Sequence, residues 1–413
     1  MSTRVLAAAG LLLLAAFGCT DDSTAPTESA PAASPAAAAA ATPLVFWQMS
    51  ADISNTCAVT TDFVPYCWGW NSDGQLGIGT ATGPDSCPGY VGSLPCSMKP
   101  VPVVGGHRFR QVSVGTYHAC GVTADFHAWC WGNGGYGELG NGLTQQANAP
   151  VAVAGGLLFR QVVAGFDYTC GISYPDNRPY CWGYNNVGQL GDGTATRRFT
   201  PVPVLGGLRL SQISAGAYHA CGVTMDNRAF CWGANDQGEL GDSTPVLKRT
   251  RPVAVVGGRQ YRQIDAGAHL TCAVTTGDRA YCWGNGRLGG LGNGKTYISY
   301  WPRAVSGGLS IRRIGAGVTH ACAETTNSRA YCWGGNGSGQ LGNGDPLHTS
   351  ALTPVAVAGG LVFAQLGVGG DHTCGKTPAG VGYCWGDSFY GQLGNGTGGV
   401  GSFSLVPAPV AGP

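Results

Sequence analysis

The triplet Cys-Trp-Gly begins at positions 67, 130, 181, 231, 282, 332 and 384. The seven copies are separated by 63, 51, 50, 51, 50 and 52 residues. A period this regular marks a chain built from like units, none of which can bury its apolar surface alone. The long first interval carries its own insertion, GPDSCPGYVGSLPC, at residues 83–96.

Each unit follows one grammar. It opens on an apolar residue close to Gln, as in FRQVSVG (109–115), FRQVVAG (159–165) and LSQISAG (210–216). A glycine, two variable residues, often a histidine, and a first cysteine follow. Then come a short apolar segment, a polar turn and the Cys-Trp-Gly triplet. The unit closes on G-[QE]-L-G-x-G in most copies, a variable loop, and a Pro-Val segment ending in Gly-Gly. Segments such as CAVTT and AYCWG, divided by Gly277-Asp278, read as hairpin strands. No stretch carries a sustained helical stripe. About four short strands per unit is the size of a propeller blade, and seven units suit a closed ring. The expectation is an all-β, seven-bladed β-propeller. Its seam is expected where residues 405–410, a terminal Pro-Val segment, complete the blade begun by residues 44–70, since a shared strand leaves no open sheet edge.

The N-terminus reads differently. Arg4 precedes an apolar run from Val5 to Phe17, too short for a comfortable membrane span, and the run ends in Gly18-Cys19. Residues 1–18 therefore read as a lipoprotein-type signal and Cys19 as the lipidated residue, with an ordinary secretory cut nearby as the alternative. Residues 19–43, rich in Ala, Pro, Ser and Thr, read as a flexible tether, and residues 44–413 as the propeller. Either reading sends the protein to the cell envelope or beyond, with the lipid as its link to the membrane.

Export bears on the cysteines. Beyond Cys19, sixteen of the 17 cysteines form an even set. In the repeats Cys57 goes with Cys67, Cys120 with Cys130, Cys170 with Cys181, Cys221 with Cys231, Cys272 with Cys282, Cys322 with Cys332 and Cys374 with Cys384. The insertion supplies Cys87 and Cys96. An even set in an exported chain points to disulfides. Residues directly opposed in an antiparallel hairpin lie within disulfide reach. A reduced thiol ladder is the alternative if the chain is not exported. No C-x-x-C knuckle suggests zinc, and no cofactor is expected.

The units resemble the regulator of chromosome condensation repeat family over residues 44–413. The resemblance rests on G-x-x-H, Trp-Gly-x-Asn and G-Q-L-G-x-G, with CWGYNNVGQLGDG (181–193) a close match. It implies a seven-bladed propeller and, through the founding activity of the family, nucleotide exchange on a small GTPase, a reading that export disfavours. In this architecture the variable pair of G-x-x-H contributes to a binding face. Light-sensing members carry tryptophan there, and this chain has none.

Several motifs carry bland meanings. G-x-G-x-x-G occurs at 132–137 and 337–342, but neither opens a helix in a βαβ unit. His118, His219, His320 and His372 share one repeat position, and each is expected to cap a backbone group in its own blade. The recurrent tryptophans read as packing between blades. A net charge of +1 with 11% charged residues gives no case for nucleic acid. No catalytic set is identifiable by spacing.

Variable loops on a regular frame are where binding resides. Tyr117, Phe166, Asp167, Tyr218 and Asp371 in the variable pairs are the expected partner-binding residues. Loops after L-G-x-G, with Arg197, Arg198, Phe199, Lys248, Arg249, Tyr297, Tyr300 and Trp301, form a second candidate surface. The function expected is a non-enzymatic extracytoplasmic module that binds a protein partner, in its most specific form an enzyme it inhibits. The alternatives are a glycan-binding or polysaccharide-cleaving propeller and a guanine-nucleotide exchange factor.

Overall fold

A computed structural model describes residues 44–413. The signal, Cys19 and the tether lie outside the described residues. The chain forms seven antiparallel sheets, six of four strands and one of five, each built from consecutive segments. This is the seven-bladed all-β propeller that the period predicts. Among the described residues no helix is long and apolar enough to cross a membrane.

The third blade shows the pattern. Its strands are Phe159–Ala164, Tyr168–Ser173, Pro179–Gly183 and Arg198–Pro203, running from the axis outward. The second strand is buried along its whole length, whereas the outermost holds only partly buried and exposed positions. Sandwiching between neighbouring blades explains why the second strands are rich in small and apolar residues, with polar members such as His118 and Thr169 bonded across the joints. In the first blade the insertion adds a fifth strand, Asp85–Pro88, paired with Ser93–Pro102.

The cysteines face each other as the hairpin geometry requires. Cys272 pairs with Cys282 in register, at a Cα separation of 4.1 Å. Cys57 joins Cys67 at 4.1 Å. Cys120 joins Cys130, Cys221 joins Cys231, Cys322 joins Cys332 and Cys374 joins Cys384, each at 4.0 Å. Cys170 and Cys181 are one residue further apart in sequence yet remain in register at 4.1 Å, because the extra residue is taken up in the turn. In the insertion Cys87 joins Cys96 across 5.9 Å. All sixteen cysteines of the even set are thus bonded in the pairs that the spacing predicts, and the reduced ladder is not the arrangement found.

Apolar clusters form between blades. One joins Cys221, Leu240 and Val255 of the fourth blade to Tyr261, Ile264 and Trp283 of the fifth. The seven Cys-Trp-Gly tryptophans are all fully buried. Each indole N–H donates to a backbone carbonyl of the preceding blade, as Trp232 does to Gln189 at 3.0 Å. Gly191, at φ +66°, makes this seat: a Cβ there would lie 2.9 Å from the Trp232 ring.

The seam differs from expectation. Phe403–Pro409 pairs with Gly382–Asp387 in its own seventh blade and with no strand of the first. Every unit is already contiguous, so no strand is left to share. The ring closes by the contacts used at the other joints. Trp68 donates to the Gln392 carbonyl at 2.9 Å. Val410 packs with Phe46, Met49 and Trp68 in a cluster shared by blades seven and one.

The histidines also differ. Each bonds the next blade, not its own: His118 Nε2 meets Thr169 Oγ1 at 2.7 Å, His219 meets Thr271 at 2.8 Å, His320 meets Thr373 at 2.9 Å and His372 meets Thr56 at 2.9 Å. The threonine hydroxyl spends its proton on the carbonyl that also receives the indole, as Thr169 does on Glu138 at 2.8 Å. The imidazole must therefore donate from Nε2, which leaves Nδ1 bare. Burial pushes all four histidines down to about 3, so they are neutral.

Candidate functional site

In each blade the chain emerges on one face at two places. One is the turn after the innermost strand, which holds the variable pair. The other is the stretch after Trp-Gly, which holds G-[QE]-L-G-x-G. The two expected surfaces therefore share a face.

Aromatic side chains converge there. Tyr117 and Phe166 meet edge to face at 5.1 Å between centroids, and Phe166 reaches Tyr218 at 5.5 Å. Trp70 continues the row, 5.8 Å from Tyr117 and 5.5 Å from Tyr390. Phe389 and the insertion residue Tyr90 extend it further, at 4.8 and 5.6 Å between successive rings. This arc crosses blades seven, one, two, three and four. Its inner members are half-buried, while Tyr90 is 85% exposed. Rings held by their neighbours in this way present area without a large entropy cost on binding.

Carboxyl groups lie along the arc. Asp167 is raised to about 6, chiefly by burial and then by the charge of Asp73. Glu138, fully buried, is raised to about 8 by burial, with the charges of Asp167 and Asp73 adding to it. Asp371 is exposed on the same face in the seventh blade and accepts a bond from Gln340 Nε2 at 3.0 Å. Four of the five expected residues, Tyr117, Phe166, Asp167 and Tyr218, thus form one patch, and Asp371 stands apart from it.

The second surface is partly structural. Arg198 and Arg249 clasp Asp192 and Asp242 within their own loops, at 2.7 and 2.9 Å. Arg197 stacks over Tyr136, 5.0 Å from its centroid. Trp301 is 48% exposed and lies beside Arg303 on the outer strand. Sequence reasoning overlooked Trp70, Tyr390, Asp73 and Glu138. The residue after each Trp-Gly, aromatic at Trp70 and Tyr184, was the available signal.

The axial cavity, about 290 Å³, is lined by the innermost strands. Its glutamines clamp adjacent blades: Gln212 donates to the Ile264 carbonyl at 2.7 Å and accepts the Ile264 N–H at 2.9 Å. Its carboxyls serve separate joints. Asp52 accepts from Thr116 at 2.8 Å, and Asp265 accepts from Ser214 and the Ala316 N–H, each at 2.9 Å. Burial raises both to about 6. The axis offers anchored groups, with no carboxyl pair converging on a common point among these bonds. Elsewhere Asp236, Glu239 and His269 place one ligand atom each within 4.8 Å of the others.

A disulfide-braced β-propeller built from one repeated unit is the class of protein that this fold defines. The chain belongs to the RCC1-like domain family, which matches residues 3–309, while the regulator of chromosome condensation (RCC1) repeat matches 311–340 and 327–375. The ultraviolet-B receptor UVR8 of Arabidopsis thaliana is 30% identical over 188 residues, covering 44% of this chain and 43% of that one. The E3 ubiquitin-protein ligase HERC2 of Homo sapiens is 27% identical over 254 residues, covering 59% of this chain and 5% of the ligase. The match thus spans less than half of either relative. Among solved structures, Prp20p of Saccharomyces cerevisiae superposes with a TM-score of 0.71 at 18% identity, over 89% of this chain and 87% of that one. Human WBSCR16 gives 0.69 at 21% identity, over 80% and 86%. These two likenesses concern the fold.

Proposed function

We propose that the chain is a non-enzymatic module that works outside the cytoplasm and presents its aromatic face to another protein. The observation that carries this is the arc from Tyr390 through Trp70, Tyr117 and Phe166 to Tyr218. Half-buried aromatic rings flanked by polar groups have the composition of interaction hot spots. Structures of the similar Prp20p concern its binding to Gsp1p and histones and to Kap60, so protein partners are at home on this architecture. Eight disulfides support an oxidising compartment. A lipid on Cys19 would hold the propeller at the envelope through residues 19–43.

The test is capture by the full chain from envelope and culture extracts, with crosslinks mapped by mass spectrometry. The expected result is one enriched protein crosslinked through this face. Its recovery should fall at least tenfold with Phe166→Ala combined with Tyr218→Ala, since hot-spot truncations each cost about 2 kcal/mol or more. Unchanged recovery by that variant would remove this face from consideration. Retention of a polysaccharide in place of protein would move the reading to glycan binding, and accelerated GTPase exchange would move it to the founding activity of the family.

A further inference from the structure

One repeat position changes chemistry between blades. It holds Gln75, Glu138, Gln189, Glu239, Gln340 and Gln392 in six of the seven copies, all buried. One side-chain oxygen of each accepts the backbone N–H two residues earlier, as Glu138 Oε2 does from Tyr136 at 2.7 Å. The other terminal atom of this side chain can reach the second residue of the variable pair in the next blade. Glu239 Oε1 meets His269 Nδ1 there at 3.0 Å, and Gln340 Nε2 meets Asp371 at 3.0 Å. Acid faces imidazole in one case, and amide faces acid in the other.

At Glu138 the equivalent residue of the next blade is Asp167, whose charge helps to raise the Glu138 carboxyl, so both positions hold an acid. Glu138 Oε1 is buried and has no hydrogen-bond partner among the described residues. Asp73 adds a third carboxyl and accepts from Asn133 Nδ2 at 3.1 Å. The rings of Tyr117, Phe166 and Tyr218 border the group. The other charged or titratable neighbours are Tyr136, Tyr184, Tyr390 and Arg197, the last stacked on Tyr136. Two neighbouring acids, one with a bare buried oxygen, want a positive charge beside them. Flanking aromatic faces favour one with a planar, weakly hydrated head.

We propose that Glu138 and Asp167 form the seat for an arginine side chain of the protein that docks on this face. This rests on the reading of the face as a protein-binding surface and adds what the partner brings to it. Without a partner, Glu138 holds a proton at neutral pH, because its carboxyl is raised to about 8. An entering guanidinium replaces that proton, so binding releases it. Raising the pH through 6 and then 8 ionises Asp167 and then Glu138 and strengthens binding.

The full chain would be titrated calorimetrically with a hexa-arginine peptide, and with hexa-glutamate as the counter-probe. Saturable binding of hexa-arginine alone is expected at pH 8.5, at least tenfold weaker at pH 5.5. At pH 7, titrations in two buffers of different ionisation heat should report release of close to one proton. Glu138→Gln installs the residue that four other blades carry, so its fold is safe. It should weaken binding at least tenfold and abolish the proton release, whereas Asp167→Asn should weaken binding at least tenfold while Glu138 still gives up its proton. Glu239→Gln should change neither. Absence of binding at pH 8.5, or binding indifferent to Glu138→Gln, would overturn the seat. So would a Ca²⁺ or Zn²⁺ ion bound through Glu138 in its place. If a captured partner depends on Phe166 and Tyr218 but not on Glu138, the face stands and the seat falls. If hexa-arginine binds through Glu138 but no protein is captured, the seat stands and the protein reading falls.

Discussion

His320 sits fully buried between two blades, donates to Thr373 and keeps Nδ1 bare. Its folded pKa of about 3 lies below the unfolded value of about 6.5. The unfolded chain therefore binds the extra proton first. The stability that depends on neutral His320 is complete above about pH 6.5 and declines by about 1.4 kcal/mol per unit as the pH falls toward 3. The whole protein will not show this slope plainly, because Asp52, Asp167, Asp265 and Glu138 are shifted upward and act in the opposite sense. A difference measurement isolates it. His320→Gln keeps a donor at Nε2 and removes the titration. In urea melts the variant should be less stable than wild type at pH 7 and should overtake it by pH 5. Parallel curves across that range would contradict the assignment of a neutral, Nε2-protonated imidazole.

The innermost strands are joined by glutamine side chains that imitate a sheet ladder. Gln161 reaches Ile213, Gln263 reaches Ile314 and Gln365 reaches Met49, each giving one bond and accepting one. The sixth blade has Arg313 at this position, exposed and reaching only the Ala364 carbonyl at 3.0 Å. An arginine has no acceptor, so it cannot complete the pair. Arg313→Gln should restore the clamp onto the seventh blade. Two neutral hydrogen bonds replacing one predict a gain of about 1 kcal/mol, seen as a higher denaturant midpoint. A fall in stability would mean that Arg313 does more at this joint than its one bond indicates.

At the scale of the ring, the seam is not a privileged joint. The seventh and first blades meet through Gln365, through His372 with Thr56, and through Trp68 with Gln392, the same three links used elsewhere. Had a strand been shared, breaking one of these links at the seam would matter little. Because none is shared, Gln365→Leu at the seam and Gln161→Leu at an internal joint should lower the unfolding midpoint by similar amounts. Each leaves buried backbone groups unpaired, at a cost of about 1–3 kcal/mol. A markedly smaller loss at the seam would show that closure relies on something else.

Much of this was legible in one sequence. The period of about 50 residues specified seven blades, and the spacing of the cysteine pairs specified their disulfides, because hairpin partners lie ten or eleven residues apart and leave a local pattern. The variable pairs flagged Tyr117, Phe166, Asp167 and Tyr218 as candidates. Contacts between blades left no such pattern. His118 and Thr169 lie 51 residues apart, and Thr56 and His372 lie 316 apart. Which residue each histidine meets, where the last strand pairs, and that Gln340 meets Asp371 were all decided by how complete blades pack side by side. The sequence alone determined the unit and its count. Only the tertiary structure decided the joints and the face, because a side chain's partner across a joint depends on the closure of the whole ring.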